Sequence, residues 1–445
     1  MEMYRSKLVS AEEAVKVVKS GDFVRYGYSF TKPTALDMEL AKRKDELYEV
    51  NIGCATCPMK FYTVEADPTT THFRYNSGHM TAPERYLHDK GLAYYAPSAF
   101  GQAPDWYRMG YSKSDVVMIA VCPMDKHGYF NFGPQATYIK AICEMARTVI
   151  VEINPSMPRA LGGFEEAIHI SEVDMIVEDP RADVPLPDIK NPPPTPEDTK
   201  IAELIVEEIP DGACIQLGIG AMPAAIGEMI AQSDLKDLGI HSEQLCEAMM
   251  NMYLAGKVTG RRKALLPGKI TYTFSMGSKR FWEWIDDNPV LANCPVYFTN
   301  YPQYIMANDN FISINNTLEV DLTGQACSES KGTRMISGSG GQLEFAYGSF
   351  FSKGGKSFLA MTSTYERKGV RASRIVPTLT PGAVVTTPRP IVHYLVTEYG
   401  KVILKGKSNW QRAELLISIA HPDFRDDLVK EAEKLGIWRR TAKIE

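Results

Sequence analysis

Two stretches of this 445-residue chain follow one plan. Near the start runs EEAVKVVKSGDFVRYGYSFTKP, and in the second half runs AELIVEEIPDGACIQLGIGAMP. Each opens with apolar residues at helical spacing, turns at a glycine, continues as a short strand, and ends in a glycine loop before proline. Gly21 and Gly27 stand as far apart as Gly212 and Gly218. Helix, turn, strand, glycine loop and helix in succession is an α/β pattern, and its recurrence points to an internal duplication. More strands are expected at DVVMIAV (115–121) and at RTVIVEI (147–153), the latter directly after the helical YIKAICEMA. In the second half strands are expected at KITYTFSM, VYFTN and FISINNTLEVDL, and a last helix at HPDFRDDLVKEAEKLG, with proline near its start and glycine at its end.

The chain is too long for one ordinary core. A proline-rich stretch, PRADVPLPDIKNPPPTPED, runs from Pro180 to Asp198. Pro192, Pro193 and Pro194 donate no backbone hydrogen bond and favour extended chain. It reads as a linker, with an ordered surface loop as the alternative. The expected division is an α/β domain over 1–185, a linker over 186–198 and a second α/β domain over 199–445. The fold class is α/β: two similar open domains with mostly parallel sheets and the active site between them, at the carboxyl ends of strands.

Apolar residues make up 44% and charged residues 23%, with a net charge of -5. No basic stripe suggests nucleic-acid binding. No apolar run reaches the roughly 18 residues of a membrane span, and MEMYRSKLVSAEEAVKVV reads as an amphipathic helix rather than a signal peptide. Six of the eight cysteines are scattered, which suits a reduced, cytoplasmic compartment. Cys54 and Cys57 form a lone C-x-x-C without a second pair to complete a zinc site. His72, His79, His88, His127, His169, His393 and His421 show no metal-ligand spacing. No metal and no permanently bound cofactor is expected.

Three segments are candidates for chemistry. In Gln216-Leu217-Gly218-Ile219-Gly220-Ala221-Met222-Pro223 a strand ends, glycines turn the chain and proline opens a helix, whose free N–H groups suit an anion. A dinucleotide fingerprint would need glycine where Pro223 stands, and there is no P-loop. The alternative is a tight turn with no ligand. In Ile336-Ser337-Gly338-Ser339-Gly340-Gly341-Gln342, consecutive N–H groups form an anion nest or, equally, a hairpin turn. In LGIHSEQL, His241, Ser242 and Glu243 stand side by side. Consecutive residues fan out along a helix or alternate across a strand, so they form no triad. Local sequence alone favours Ser242 as a helix N-cap with Glu243 in the first turn. In INNTLEVDL, Glu319 and Asp321 alternate with apolar residues and share a strand face.

Taken together, QLGIGAMP, LGIHSE, INNTLEVDLTGQ, GSGGQLEF, VTEYG and RAELLISIAHPDFR occur in an order and spacing that resemble the acetyl-CoA hydrolase/transferase family. More narrowly the pattern resembles its class I acyl-CoA:acetate CoA-transferases of the butyryl-CoA and 4-hydroxybutyryl-CoA type. FRYNSGHMTAPERYL, MDKHGYFNFG and VEINPSMPRALG extend the likeness through the first half. The resemblance implies Glu243 as the nucleophile of a ping-pong exchange through a glutamyl-CoA thioester. It implies that Gly218, Ile219, Gly220, Ala221, Met222, Leu318 and Gly341 line coenzyme A. Gly338 and Gly340 join the binding set as parts of the second glycine loop. The substrates implied are an acyl-CoA and a short carboxylate such as acetate; a homo-oligomer is expected only because such assemblies are common. An acyl-CoA hydrolase on the same scaffold is the alternative. Tyr28 and Phe30 are bulkier than residues relatives often carry, and Ala224 and Gln244 also depart from the usual pattern. At its reference pKa of about 4.3, a glutamate nucleophile is expected to be ionised at neutral pH without a general base.

Overall fold

The computed structural model describes residues 2–190 and 192–437. Residue 191 of the expected linker and residues 438–445 of the expected second domain lie outside them. By its contacts the chain divides into two compact units. The first comprises Met1–Ile189, Thr271–Thr299 and Met335–Gly340; the second comprises Lys190–Ile270, Asn300–Arg334 and Gly341–Glu445.

The first unit is built on seven strands in the order Ala93–Tyr95, Phe73–Ser77, Val50–Cys54, Phe23–Tyr26, Val116–Val121, Thr148–Ile153 and Met175–Val177. Every neighbouring pair is parallel. All six residues of Val116–Val121 are buried, because a parallel sheet is covered on both faces and its inner strands are apolar throughout. Met118 and Ile150 pack on one face with Ala14, Leu36 and Leu40. Val117, Ile119, Val149 and Val151 pack on the other with Ile139 and Ile142.

The second unit carries six strands in the order Gly239–Ile240, Cys214–Leu217, Phe311–Asn316, Lys356–Ala360, Tyr394–Thr397 and Gly400–Ile403. All pairs are parallel except the last. Mostly parallel α/β sheets are thus present in both units, as the sequence pattern predicts.

The repeated stretch occupies the same place in each sheet. Gly21 and Gly212 both turn with positive φ, +83° and +76°, a region that glycine enters without a Cβ penalty. The strands that follow, Phe23–Tyr26 and Cys214–Leu217, each lie where the strand order reverses direction. Loops leaving such a strand part from its neighbour's and open a crevice at the carboxyl ends. In the first unit the helix beyond the crevice, Thr34–Lys42, is closed by the chain itself: Thr34 N and Leu36 N donate to the Glu152 carboxyl at 2.6 and 2.8 Å. In the second unit the corresponding helix, Ala221–Gln232, has no side-chain cap.

Local expectations fail at two places. VYFTN is a short helix, Val296–Asn300, rather than a strand. Its aromatic and β-branched residues favour strand, but Pro295 cannot donate to a ladder and suits a helix start. Ser242 is not an N-cap. The chain after Ile240 stays extended into Gln244–Cys246, and the next helix, Glu247–Leu254, has Cys246 at its N-cap. Ser242 Oγ donates instead to Gln244 O at 2.7 Å, so the hydroxyl is used to hold a bend.

KITYTFSM resolves into two short strands, Ile270–Tyr272 and Phe274–Met276, outside both large sheets. The last helix runs Pro422–Lys434, with His421 at its N-cap. All eight cysteines are buried, and none is in a disulfide. No helix among the described residues is long and apolar enough to cross a membrane.

Candidate active site

The reversal point of the second sheet brings three loops to one end. Ile215 pairs with Ile240 in parallel register, so Gly218 and Glu243 each lie three residues beyond a matched pair. On the other side Leu217 pairs with Ile314, which places Asn315 and Asn316 beside Gly218. The strands therefore deliver a glycine loop, a carboxylate and two amides to adjacent positions. His241 continues the ladder, its N–H donating to Ile215 O at 3.2 Å.

The first loop is shaped by close approach. Gly218 N donates to Ile314 O at 2.8 Å, and a Cβ on Gly218 would lie 3.1 Å from Asn315 Oδ1. Asn315 and Gln216 exchange reciprocal amide hydrogen bonds of 3.1 and 3.2 Å. Gly220, the N-cap of Ala221–Gln232, has φ +128°, which a side chain would strain. Ile219 is exposed, Gly218, Gly220 and Ala221 are half-buried, and Met222 is buried. Asn316 Nδ2 donates to Ile219 O at 3.1 Å. Its Oδ1 is buried and without a hydrogen-bond partner among the described residues.

Glu243 sits in the bend after the edge strand. Asn300 Nδ2 donates to Glu243 Oε2 at 2.5 Å, and the Gly341 N–H donates to the same carboxyl group. Gly341 is the N-cap of helix Gln342–Phe351, so the carboxyl faces the positive end of a ten-residue helix. A Cβ on Gly341 would fall 2.2 Å from Glu243 Oε2 and 2.3 Å from Asn300 Nδ2. Asn300 Nδ2 also donates to Glu344 Oε2 at 2.9 Å. One amide nitrogen thus bridges two carboxyl groups.

Burial pushes the Glu243 carboxyl up to about 7, against the lowering effect of its two donors. The group keeps intermediate surface exposure, yet the chain around it is dense enough for desolvation to prevail. This corrects the expectation of a fully ionised nucleophile at neutral pH: near pH 7 the free protein holds it about half protonated.

The raised value also bears on stability. Below pH 4 the acid is protonated in both folded and unfolded chains and costs nothing. As pH rises through the unfolded value of about 4.3 toward 7, the unfolded chain ionises first, and the folded state loses stability by roughly 1–3 kcal/mol. Glu243→Gln is therefore expected to raise the thermal midpoint by a few degrees at pH 8 and by nothing at pH 4. Melting curves at the two pH values measure this difference, and an equal change at both would contradict it.

The remaining candidates are Leu318 and the second glycine loop. Leu318 is half-buried, with its N–H donating to Cys327 O at 2.8 Å and its carbonyl accepting from Arg374 Nη1 at 3.0 Å. Gly338 and Gly340 belong to the first unit, Gly341 to the second. A Cβ on Gly338 would stand 2.6 Å from Gly78 O, and Gly340 has φ +50°. Ser337 O accepts from Met80 N at 3.1 Å, and Ser339 N donates to Tyr95 Oη at 3.1 Å. This loop leads into a helix, so it is not a hairpin. Glu319 and Asp321 hold neighbouring loops, accepting from Thr380 and from Thr323 and Gln325.

Sequence reasoning missed Asn300, Glu344, Asn315 and Asn316. Glu344 carried a readable signal, an acid in the first turn after a glycine N-cap. Asn300 carried none, because the segment ending in it reads as strand.

Residues 1–187 match the acetyl-CoA hydrolase/transferase N-terminal domain and residues 277–432 its C-terminal domain. The chain is 50% identical to the butyryl-CoA:acetate CoA-transferase of Anaerostipes caccae, over 99% of each chain. It is 41% identical to the 4-hydroxybutyrate coenzyme A transferase of Clostridium kluyveri, over 97% of this chain and 99% of the other. The crystal structure of RipA from Yersinia pestis superposes with a TM-score of 0.88 at 38% identity, covering 98% of this chain and 99% of RipA. With parallel α/β sheets, a glycine loop at the reversal point and a half-buried carboxyl beside it, this chain is an enzyme of the acetyl-CoA hydrolase/transferase family.

Proposed function

We propose that this enzyme transfers coenzyme A between a short-chain acyl-CoA, butyryl-CoA foremost, and acetate, through a glutamyl-CoA thioester on Glu243. The observation that carries the reading is the Glu243 carboxyl, held by Asn300 Nδ2 and the Gly341 N–H at a helix N-terminus. Such donors fix a nucleophile and then stabilise charge that develops on the same group.

In the first step a Glu243 oxygen attacks the thioester carbonyl. The C–S bond breaks, CoA leaves as thiolate, and an acyl-glutamyl anhydride remains. The thiolate then attacks the glutamyl carbonyl carbon, the bond from that carbon to the bridging oxygen breaks, and the first carboxylate departs with that oxygen. Acetate enters by the reverse sequence: it displaces CoA thiolate from the glutamyl thioester, and the thiolate takes the acetyl group. No proton is consumed overall.

When thiolate adds to the glutamyl carbonyl, negative charge gathers on the glutamyl oxygen. Asn300 and Gly341 are the donors beside that oxygen, each of a kind that contributes about 10²–10³ in rate. The loop Gly218–Met222 offers its backbone to the pantetheine arm, and Asn316 Oδ1 an acceptor for one of its amide N–H groups. Gly338, Gly340 and Leu318 complete the proposed binding set. Eight buried cysteines without disulfides suit a reduced cytoplasmic setting.

Incubation with butyryl-CoA, without acceptor, tests the reading. The peptide containing Glu243 is expected to gain a CoA-sized mass, and acetate to discharge it as acetyl-CoA. The ionised carboxyl is the nucleophile, so the rate of labelling at limiting acyl-CoA should rise with pH and reach half its plateau near pH 7. An unlabelled peptide during active exchange would refute the covalent route. Steady CoA release that ignores acetate would mark a hydrolase.

A further inference from the structure

We propose that Glu344 is a positioning residue for the transfer: its carboxyl fixes the orientation of the Asn300 amide so that Nδ2, not Oδ1, faces Glu243. The proposal rests on the reading of Glu243 as nucleophile.

A primary amide has two nearly isosteric ends, one donating and one accepting. Which end meets a carboxyl group is set by the surrounding hydrogen bonds rather than by shape. Here Asn300 is fully buried, and its Nδ2 lies 2.5 Å from Glu243 Oε2 and 2.9 Å from Glu344 Oε2. Turning the amide over would set Oδ1 against both oxygens at once. Each carboxyl therefore holds the nitrogen in place for the other.

The two holds are not equivalent through the reaction. During turnover Glu243 becomes an anhydride and then a thioester, and its oxygen becomes a much weaker acceptor. The Glu344 carboxyl is unchanged throughout. It keeps Nδ2 aimed at the glutamyl oxygen when thiolate or acetate adds to that carbonyl, which is when the donor is needed. Glu344 is 8% exposed and lies in the first turn of Gln342–Phe351, the helix whose N-cap supplies the Gly341 donor. One helix end thus places a direct backbone donor and, through Glu344, orients a side-chain donor.

A double-mutant cycle in the whole enzyme tests this, read as the rate of CoA labelling of Glu243 from butyryl-CoA. Glu344→Gln supplies an amide that pairs with either end of Asn300. It is expected to slow labelling by about 10-fold or more and to leave the half-saturating butyryl-CoA concentration within about threefold. Asn300→Ala removes the group through which Glu344 acts, so adding Glu344→Gln to it should change the rate by less than about threefold. An equal loss from Glu344→Gln in both backgrounds, or no loss in the first, overturns the proposal. If Glu344→Gln does not fold, Glu344→Asp, one methylene too short to reach Asn300, takes its place with the same expectations. Failure of the wild-type enzyme to label Glu243 would instead remove the reading beneath.

Discussion

Glu243→Ala is expected to lower CoA exchange between butyryl-CoA and acetate by about 10⁴-fold or more, the scale seen when a covalent nucleophile is deleted. The loss should fall on turnover. Acyl-CoA affinity should be nearly kept, because the glycine loop and Asn316 remain. Glu243→Asp separates charge from position. It retains the carboxylate but withdraws it by one methylene from Asn300 and Gly341, and a displacement near 1 Å costs about 10²-fold. Steady-state kinetics of the two variants, with CoA labelling by mass spectrometry, measure the order. Wild-type exchange by Glu243→Ala would end the assignment.

Gly341→Ala is expected to lower turnover by about 10²-fold or more, although it removes no side chain. The backbone is not the obstacle, since φ of -95° and ψ of 9° suit alanine. The obstacle is space. The new methyl would lie 2.2 Å from Glu243 Oε2 and 2.3 Å from the buried Asn300 nitrogen, so the carboxyl, the amide or the helix end must move. Any of these separates nucleophile from donor. The overpacking itself should cost about 1–3 kcal/mol of stability. Gly163→Ala is the matched control, because no atom stands within 4 Å of its Cβ position; its turnover and melting midpoint should stay at wild-type values. Turnover by Gly341→Ala close to that control would show that the Glu243–Gly341 contact is not part of the working site.

The fold was legible wherever one local signal had one structural outcome. VVMIAV is apolar at every position, and a strand buried on both faces is what such a run can become. Gly21 and Gly212, equally spaced from Gly27 and Gly218, take the same left-handed turn. The site was less legible, because it depends on register. Nothing in LGIHSEQL distinguishes a helix cap from an extended bend. The parallel pairing of Ile215 with Ile240 and the Ser242–Gln244 hydrogen bond settle it in favour of the bend. Asn300 was hidden behind a segment whose propensity points to strand, while Pro295 and tertiary packing make it helix.

By itself, then, the sequence determined the class of fold and the duplicated strand–glycine unit, because these follow from periodicity and backbone freedom, and its order of motifs pointed to Glu243 only through the resemblance to a known family. Only the tertiary structure decided what surrounds that glutamate. It set Asn300 and Gly341 on its carboxyl and Glu344 behind Asn300, and it raised its affinity for a proton through burial. Those properties arise from groups far apart in the chain that meet only when parallel strands align their ends.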